Sequence, residues 1–336
     1  MSFKRVQLSG GGVSVVASMS PLSFKAVNQH VLVCGSSGSG KSYFAKKLFP
    51  FPSSIILFKP DILFKDVPLA SARGLPPLFD RQHNRLFASS DVADAYLYSL
   101  GLDYSGIMAS SLVPSLMSAL ENSFSLKEFK TRLKNMKSDK LISSVASVIF
   151  SHFSVLYPDD NVKSGRPPKL LSPPAFTNID YSVSPVQPLK LGTPPYTISL
   201  SFAGMGSFRS EFAVELLLRR FYAGLGSDMG TLYIDEFHHV SRPGSLIDIL
   251  LREFRASGRL IGITQNLSDV APSMLSNFGH VFIGRSIHSG DISYLSLLSP
   301  VLPRLVSSLP PYTFLSLSEF LADPTQGLPL YKWFND

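Results

Sequence analysis

The chain is nearly without cysteine: Cys34 is the single one in 336 residues. No disulfide can form within it, which fits a reducing compartment. A cysteine-built zinc site is excluded, and the adjacent pair His238–His239 lacks the H-E-x-x-H spacing. In extended chain those two side chains point to opposite sides, which is poor for chelation. Charge is also scarce. Charged residues make up 16%, against about a quarter in an average chain, which argues against a surface of ion-pair networks. Long apolar runs are missing too. The most apolar helical candidate, Leu141–Tyr157, carries several serines and His152 and falls about three residues short of a membrane span. The opening MSFKRVQLSGGG has no apolar core of signal length, so a protein that is not secreted is expected.

Apolar residues are plentiful, at 45%, with 25 Phe and 25 Pro. That is enough to bury a sizeable core in one large α/β domain or two ordinary ones. The net charge is +7 and the pI about 9.4. Such a balance suits nucleic-acid binding, or solubility alone.

Residues 1–28 read as a short β-rich lead-in, and residues 29–336 as one domain. QHVLVCG is a continuous buried-strand run, KSYFAKKLF a helix stopped by Pro50, and SSIILF a second strand, giving a βαβ order. About 91–157 reads as a helical insert; Ser125 with Glu128 three later forms a capping box. About 158–196 is a Pro/Ser-rich loop. Strands follow at YTISLSF, GTLYIDE, RLIGITQ and HVFIG, with a helix LIDILLREFRASG ended by Gly258. The tail PYTFLSLSEFL…LPLYKWF would add edge strands. The fold class is therefore α/β, a mostly parallel sheet flanked by helices.

The run Gly35, Ser36, Ser37, Gly38, Ser39, Gly40, Lys41, Ser42 is G-x-x-x-x-G-K-S. Lying between a strand and a helix, it is a phosphate-binding loop: its N–H groups and the helix N-terminus face phosphate. Lys41 would reach the β/γ-phosphates and Ser42 would hold Mg²⁺. The ligand expected is ATP. LYIDE ends a strand in Asp235, suited to hold the metal, and Glu236, suited to polarise water. Gln265 closes RLIGITQ, where an amide can sense a γ-phosphate. Arg252, Arg255 and Arg259 follow the acidic pair; each is a trans-acting arginine or part of a solvated helix face. Lys127, Lys130, Lys134 and Lys137 share one helix face, with Phe129, Leu133 and Met136 on another. This stripe is a sequence-blind phosphate contact or a solvated face.

These segments resemble the FtsK–HerA superfamily of P-loop ATPases. The resemblance rests on PLSFKAVNQHVLVCGSSGSGKS, with its Gln29–His30 pair, on ISLSFAGMGSFRSEFAVELLLRRFY, on LYIDEFHHV, on FGHVFIGRS and above all on LLREFRASGRLIGITQNLSDV. IILFKPD departs from the family pattern, with Phe58 at an Asp position, which leaves Lys59 and Asp61 without an assigned role. The resemblance implies a RecA-like core, ATP and Mg²⁺, a homo-oligomeric ring (a hexamer) and double-stranded DNA driven through it. It makes Arg255 the first choice for the trans finger, Arg285 the second, and Gln265 the sensor. A core of this kind is similar to viral genome-packaging ATPases, with capsid or vertex proteins as partners and the host cytoplasm and the virion as location. Two alternatives remain: a plasmid or conjugation-related DNA pump, and an ATP-dependent assembly switch that translocates nothing.

Overall fold

The computed structural model describes residues 2–9, 12–18, 28–48, 54–57, 69–70, 75, 77–79, 84–102, 106–136, 140–157, 198–201, 207–222, 230–255, 258–322 and 328–334. Its strands are β1 (Ser2–Ser9), β2 (Gly12–Ser18), β3 (Val31–Cys34), β4 (Ser54–Leu57), β5 (Leu69–Ala70), β6 (Ile198–Ser201), β7 (Gly230–Ile234), β8 (Gly258–Thr264), β9 (His280–Ile283), β10 (Thr313–Ser316) and β11 (Leu330–Phe334). Its helices are α1 (Lys41–Leu48), α2 (Ser89–Ser99), α3 (Ile107–Glu121), α4 (Leu126–Asn135), α5 (Lys140–Leu156), α6 (Ser207–Tyr222), α7 (Leu246–Glu253), α8 (Pro272–Leu275), α9 (Ser289–Leu298), α10 (Leu302–Ser308) and α11 (Leu317–Ala322). The Pro/Ser-rich stretch about 158–196 lies outside the described residues, as do Phe58, Lys59, Asp61 and Lys137. The chain divides into two compact units: residues 1–69, 191–199 and 226–336, and residues 70–190 and 200–225.

In the first unit, nine strands follow the order β2-β1-β11-β10-β9-β3-β8-β7-β4. The five from β9 to β4 are parallel, and the rest pair antiparallel. VLVC and LIGIT are buried along their whole length, as a sheet covered on both faces requires. Cys34 lies opposite Thr264 and Ile283, and Ile234 opposite Gly262. The C-terminal ends of β3, β7, β8 and β9 therefore share one edge of the sheet. That is the edge where open parallel sheets carry their ligands.

Two local expectations are corrected. The tail strands are not at the edge: β11 pairs with both β10 and β1, and the β1–β2 hairpin continues the sheet beyond it. The helix after the acidic pair does not run to Gly258. It stops at Glu253, and Gly258 opens β8 while its N–H donates to Phe254 O at 3.1 Å.

The second unit is helical. Its core holds Tyr96, Phe129, Phe153 and Phe212, all fully buried, with Phe153 edge-on to Phe129 and Phe212. The Tyr96 hydroxyl and His152 Nδ1 are 2.6 Å apart. The capping box forms with a shifted return bond: Ser125 Oγ accepts Glu128 N–H at 3.2 Å, and Glu128 accepts the N–H of Phe124, one residue before the cap, at 3.0 Å. Arg219 on α6 pairs with Glu215 at 3.1 Å and with Asp94 of α2. The lysine stripe is incomplete. Lys130 is buried, because its ammonium donates to the carbonyl of Tyr157, just beyond the end of α5. Lys127 and Lys134 remain exposed. Among the described residues no helix is long and apolar enough to cross a membrane.

Candidate functional site

The phosphate loop leaves β3 at Gly35 and enters α1 at Lys41. Gly35, Gly38 and Gly40 all have positive φ, at 146°, 78° and 93°, which glycine adopts at little cost. The loop is tied to three neighbouring segments. Gly35 N–H donates to Gln265 O at 3.2 Å, Ser36 N–H to Arg285 O at 2.7 Å, and Tyr312 N–H to Ser39 O at 3.0 Å. The Lys41 ammonium folds back on Ser36 O at 3.0 Å. Cys34, beneath the loop, is fully buried. Burial, then the nearby Asp291 carboxylate, pushes its thiol well up, so it is a core residue.

The pattern implies a phosphate chain with Mg²⁺, and the residues fit one. Among the described residues the N–H groups of Ser37, Gly38 and Gly40 take no backbone acceptor. The Ser39 hydroxyl is buried and takes no hydrogen-bond partner among the described residues. Among the described residues nothing lies within 4 Å of where a Gly38 side chain would project. Loop amides at a helix N-terminus with a lysine beside them make an anion cradle. Ser42 and Asp235 offer the hard oxygens that Mg²⁺ takes alongside phosphate and water. No cluster of three His, Cys, Asp or Glu suited to a metal occurs among the described residues.

Asp235 and Glu236 follow β7 directly. Glu236 is buried and sits in the left-handed region, φ 49° and ψ 50°, an unfavourable conformation for a residue with a Cβ. Gln265, just past β8, donates Nε2–H to Glu236 Oε1 at 3.1 Å and Oε2 at 3.4 Å. Two residues that the sequence singled out separately are thus joined. His238 Nδ1 is 3.5 Å from Glu236 Oε2, a neighbour the sequence reading missed. The two histidines do not diverge as expected: residues 237–239 form a 3₁₀ turn, which brings their rings to 4.3 Å. Phe237 in that turn is buried over Gly262 of β8; a side chain at 262 would meet its ring at 2.9 Å. This packing fixes the acid loop against the strand that carries Gln265.

Arg255 lies at the other end of β8. It is exposed, its guanidinium donates to Asn277 Oδ1, and its carbonyl accepts Gln29 N–H at 3.1 Å. Arg259 is bound to Gln29 Oε1 at 3.0 Å, and Arg252 pairs with Asp248 on its own helix at 3.0 Å. The partners given for these three among the described residues lie outside the phosphate loop. Arg285 reaches the loop through its carbonyl, with the residue exposed. Tyr312, whose N–H binds the loop and whose φ is positive at 58°, carried no sequence signal.

Fold and site together define a P-loop NTPase core of RecA-like order, with β8 between the loop strand and the acid strand. No family model matches the chain, and no curated protein matches it by sequence. Solved structures do. The bacterial conjugative coupling protein TrwBΔN70 matches with a TM-score of 0.53 at 15% identity, over 85% of this chain and 81% of its own. TrwB in complex with the ATP analogue ADPNP matches at 0.54 and 16%, over 86% and 82%. The genome packaging NTPase B204 of Sulfolobus turreted icosahedral virus 2, in complex with AMP, matches at 0.40 and 13%, over 92% and 100%. At such identities the likeness to TrwB, above a TM-score of 0.5, establishes the fold, and it is the fold that the FtsK–HerA resemblance implies.

Proposed function

We propose that the chain is an ATP-driven translocase of double-stranded DNA, working as a homo-oligomeric ring of the FtsK–HerA kind. The observation that carries this reading is the hydrogen bond from Gln265 to Glu236 on the sheet edge that bears the phosphate loop. An acid, its orienting amide and the loop are what a hydrolase with a built-in base needs; a static nucleotide site has no use for the first two.

Bound Mg-ATP supplies the phosphoanhydride bond and the divalent charge that offsets its phosphates. The amides of Ser37, Gly38 and Gly40, which take no backbone acceptor among the described residues, and the Lys41 ammonium bind the phosphate chain. Ser42 and Asp235 hold the metal. Glu236 accepts a proton from water, and the Gln265 amide keeps its carboxylate turned to that task. Arg255 reaches the nucleotide of the adjoining subunit, which requires release from Asn277. The net charge of +7 suits a DNA partner.

Genome packaging into a capsid is the task that the sequence resemblance implies. The likeness to the coupling protein TrwB, above a TM-score of 0.5, favours DNA transfer between cells as the second reading. A capsid gene beside this one supports packaging; a set of transfer genes supports conjugation. The test of the shared reading is ATP turnover with and without double-stranded DNA, together with the mass of the assembled particle. A translocase gives DNA-stimulated turnover and rings. Turnover indifferent to DNA from a particle that is not a ring leaves the assembly switch instead.

A further inference from the structure

Tyr312 has features that packing alone does not account for. It adopts φ +58°, the left-handed region, where a glycine or asparagine would sit more easily. It is 45% exposed, so its ring is no core residue. Its N–H is bonded to Ser39 O, and its ring edge lies against Gly40, the residue before Lys41. A methyl group at Gly40 would come within 2.4 Å of Tyr312 Cδ1 and 2.9 Å of Cε1. Pro310 and Pro311 stiffen the approach from one side. On the other side Phe314 of β10 stacks on Phe44 of α1, centroids 4.2 Å apart and planes at 18°. The tyrosine is therefore held in one position relative to the start of α1.

Besides the buried Phe44, the start of α1 carries Tyr43, whose ring is covered by the Lys47 ammonium, 5.6 Å from the centroid. Tyr312 has no aromatic or cationic group over its ring among the described residues. A half-exposed aromatic ring, fixed at the mouth of a phosphate cradle against a strained backbone, is suited to hold the part of a nucleotide that projects beyond its phosphates. We propose that Tyr312 is the stacking platform for the base of the bound nucleotide. This rests on the reading of the loop as a nucleotide site. Stacking uses only the π-face of a base, so the platform accepts adenine and guanine alike.

The test is calorimetric binding of ADP, GDP and inorganic pyrophosphate to the full chain, to Tyr312→Leu and to Tyr312→Phe. Tyr312→Leu should weaken ADP and GDP about tenfold, the size of one lost base–aromatic stack, and leave pyrophosphate unchanged. Tyr312→Phe should bind all three as the wild type does. Pyrophosphate binding also reports that the variant's loop is folded. Equal weakening of all three ligands by Tyr312→Leu, or no weakening of ADP, overturns the assignment and leaves the nucleotide site standing. A wild-type chain that binds none of the three overturns the nucleotide reading and the platform with it.

Discussion

The Gln265 amide donates to both oxygens of the Glu236 carboxylate, at 3.1 and 3.4 Å, and so links the end of β8 to the acid loop after β7. Glu236 is held there in a left-handed backbone conformation, and the buried Phe237 beside it fills the space over Gly262. Such an arrangement fixes where the carboxylate points.

Glu236→Gln keeps the shape of the loop and removes the base. It should bind ATP with unchanged affinity and turn it over at least a hundredfold more slowly, a loss within the range of general-base catalysis at about 10²–10⁴. Gln265→Ala should leave binding within about twofold and slow turnover roughly 10–100-fold, as loss of an orienting partner does. Steady-state ATPase assays beside equilibrium binding separate the two effects. Full turnover in Glu236→Gln removes it from the mechanism.

Gly40→Ala meets two penalties, φ +93° and the overlap with the Tyr312 ring. Together they should cost about 2–4 kcal/mol of stability. In the double variant with Tyr312→Ala the overlap vanishes and the backbone penalty stays. The double variant should therefore be more stable than Gly40→Ala alone, as read from urea midpoints. Additive losses would mean that ring and loop are not in contact.

The parallel core was legible because strand segments such as VLVC, LYI and VFI read as apolar runs ending in glycine or acid. The loop and the pair Asp235–Glu236 were legible because their chemistry needs those residue types at fixed local spacing. The bond between Gln265 and Glu236 was not: it joins residues 29 apart, and only the strand order β3-β8-β7 makes them neighbours. Tyr312 was illegible for the same reason, since nothing in PPYTF points to a loop 270 positions earlier. The histidine pair was misread because alternation applies to extended chain, and these residues lie in a 3₁₀ turn. The lysine stripe was misread because helical spacing groups side chains on a face without telling which are exposed; Lys130 is drawn in by the carbonyl of Tyr157.

Lys130 should therefore behave as a structural residue. Lys130→Met removes a charged donor from the half-buried carbonyl of Tyr157 and should destabilise the protein by about 2 kcal/mol. It should leave the salt dependence of DNA binding unchanged. A lysine that neutralised a phosphate would change that slope by about 0.9 on removal. Chemical unfolding and DNA titrations at several salt concentrations give the two readouts; a changed slope with unchanged stability contradicts this placement.

His30 carries the clearest pH signature. It is fully buried, and its Nδ1 accepts Leu260 N–H at 3.0 Å. Burial foremost, then the positive charges of Arg255 and Arg259, lowers its pKa to about 4 from 6.5. Above pH 6.5 the ring is neutral in both folded and unfolded chains and contributes no pH dependence. Between pH 6.5 and 4 the unfolded chain takes up a proton that the folded one refuses, so stability falls as pH falls. The loss reaches about 3 kcal/mol near pH 4. Burial lowers His280 as well, and its effect has the same sign. His30→Asn keeps an acceptor for Leu260 and removes the titration, while His280 stays. Subtracting the two curves of unfolding free energy against pH thus isolates His30. The difference should be flat above pH 6.5 and should shift in favour of the variant below it; parallel curves down to pH 4 would mean that His30 is protonated as easily in the fold as in water.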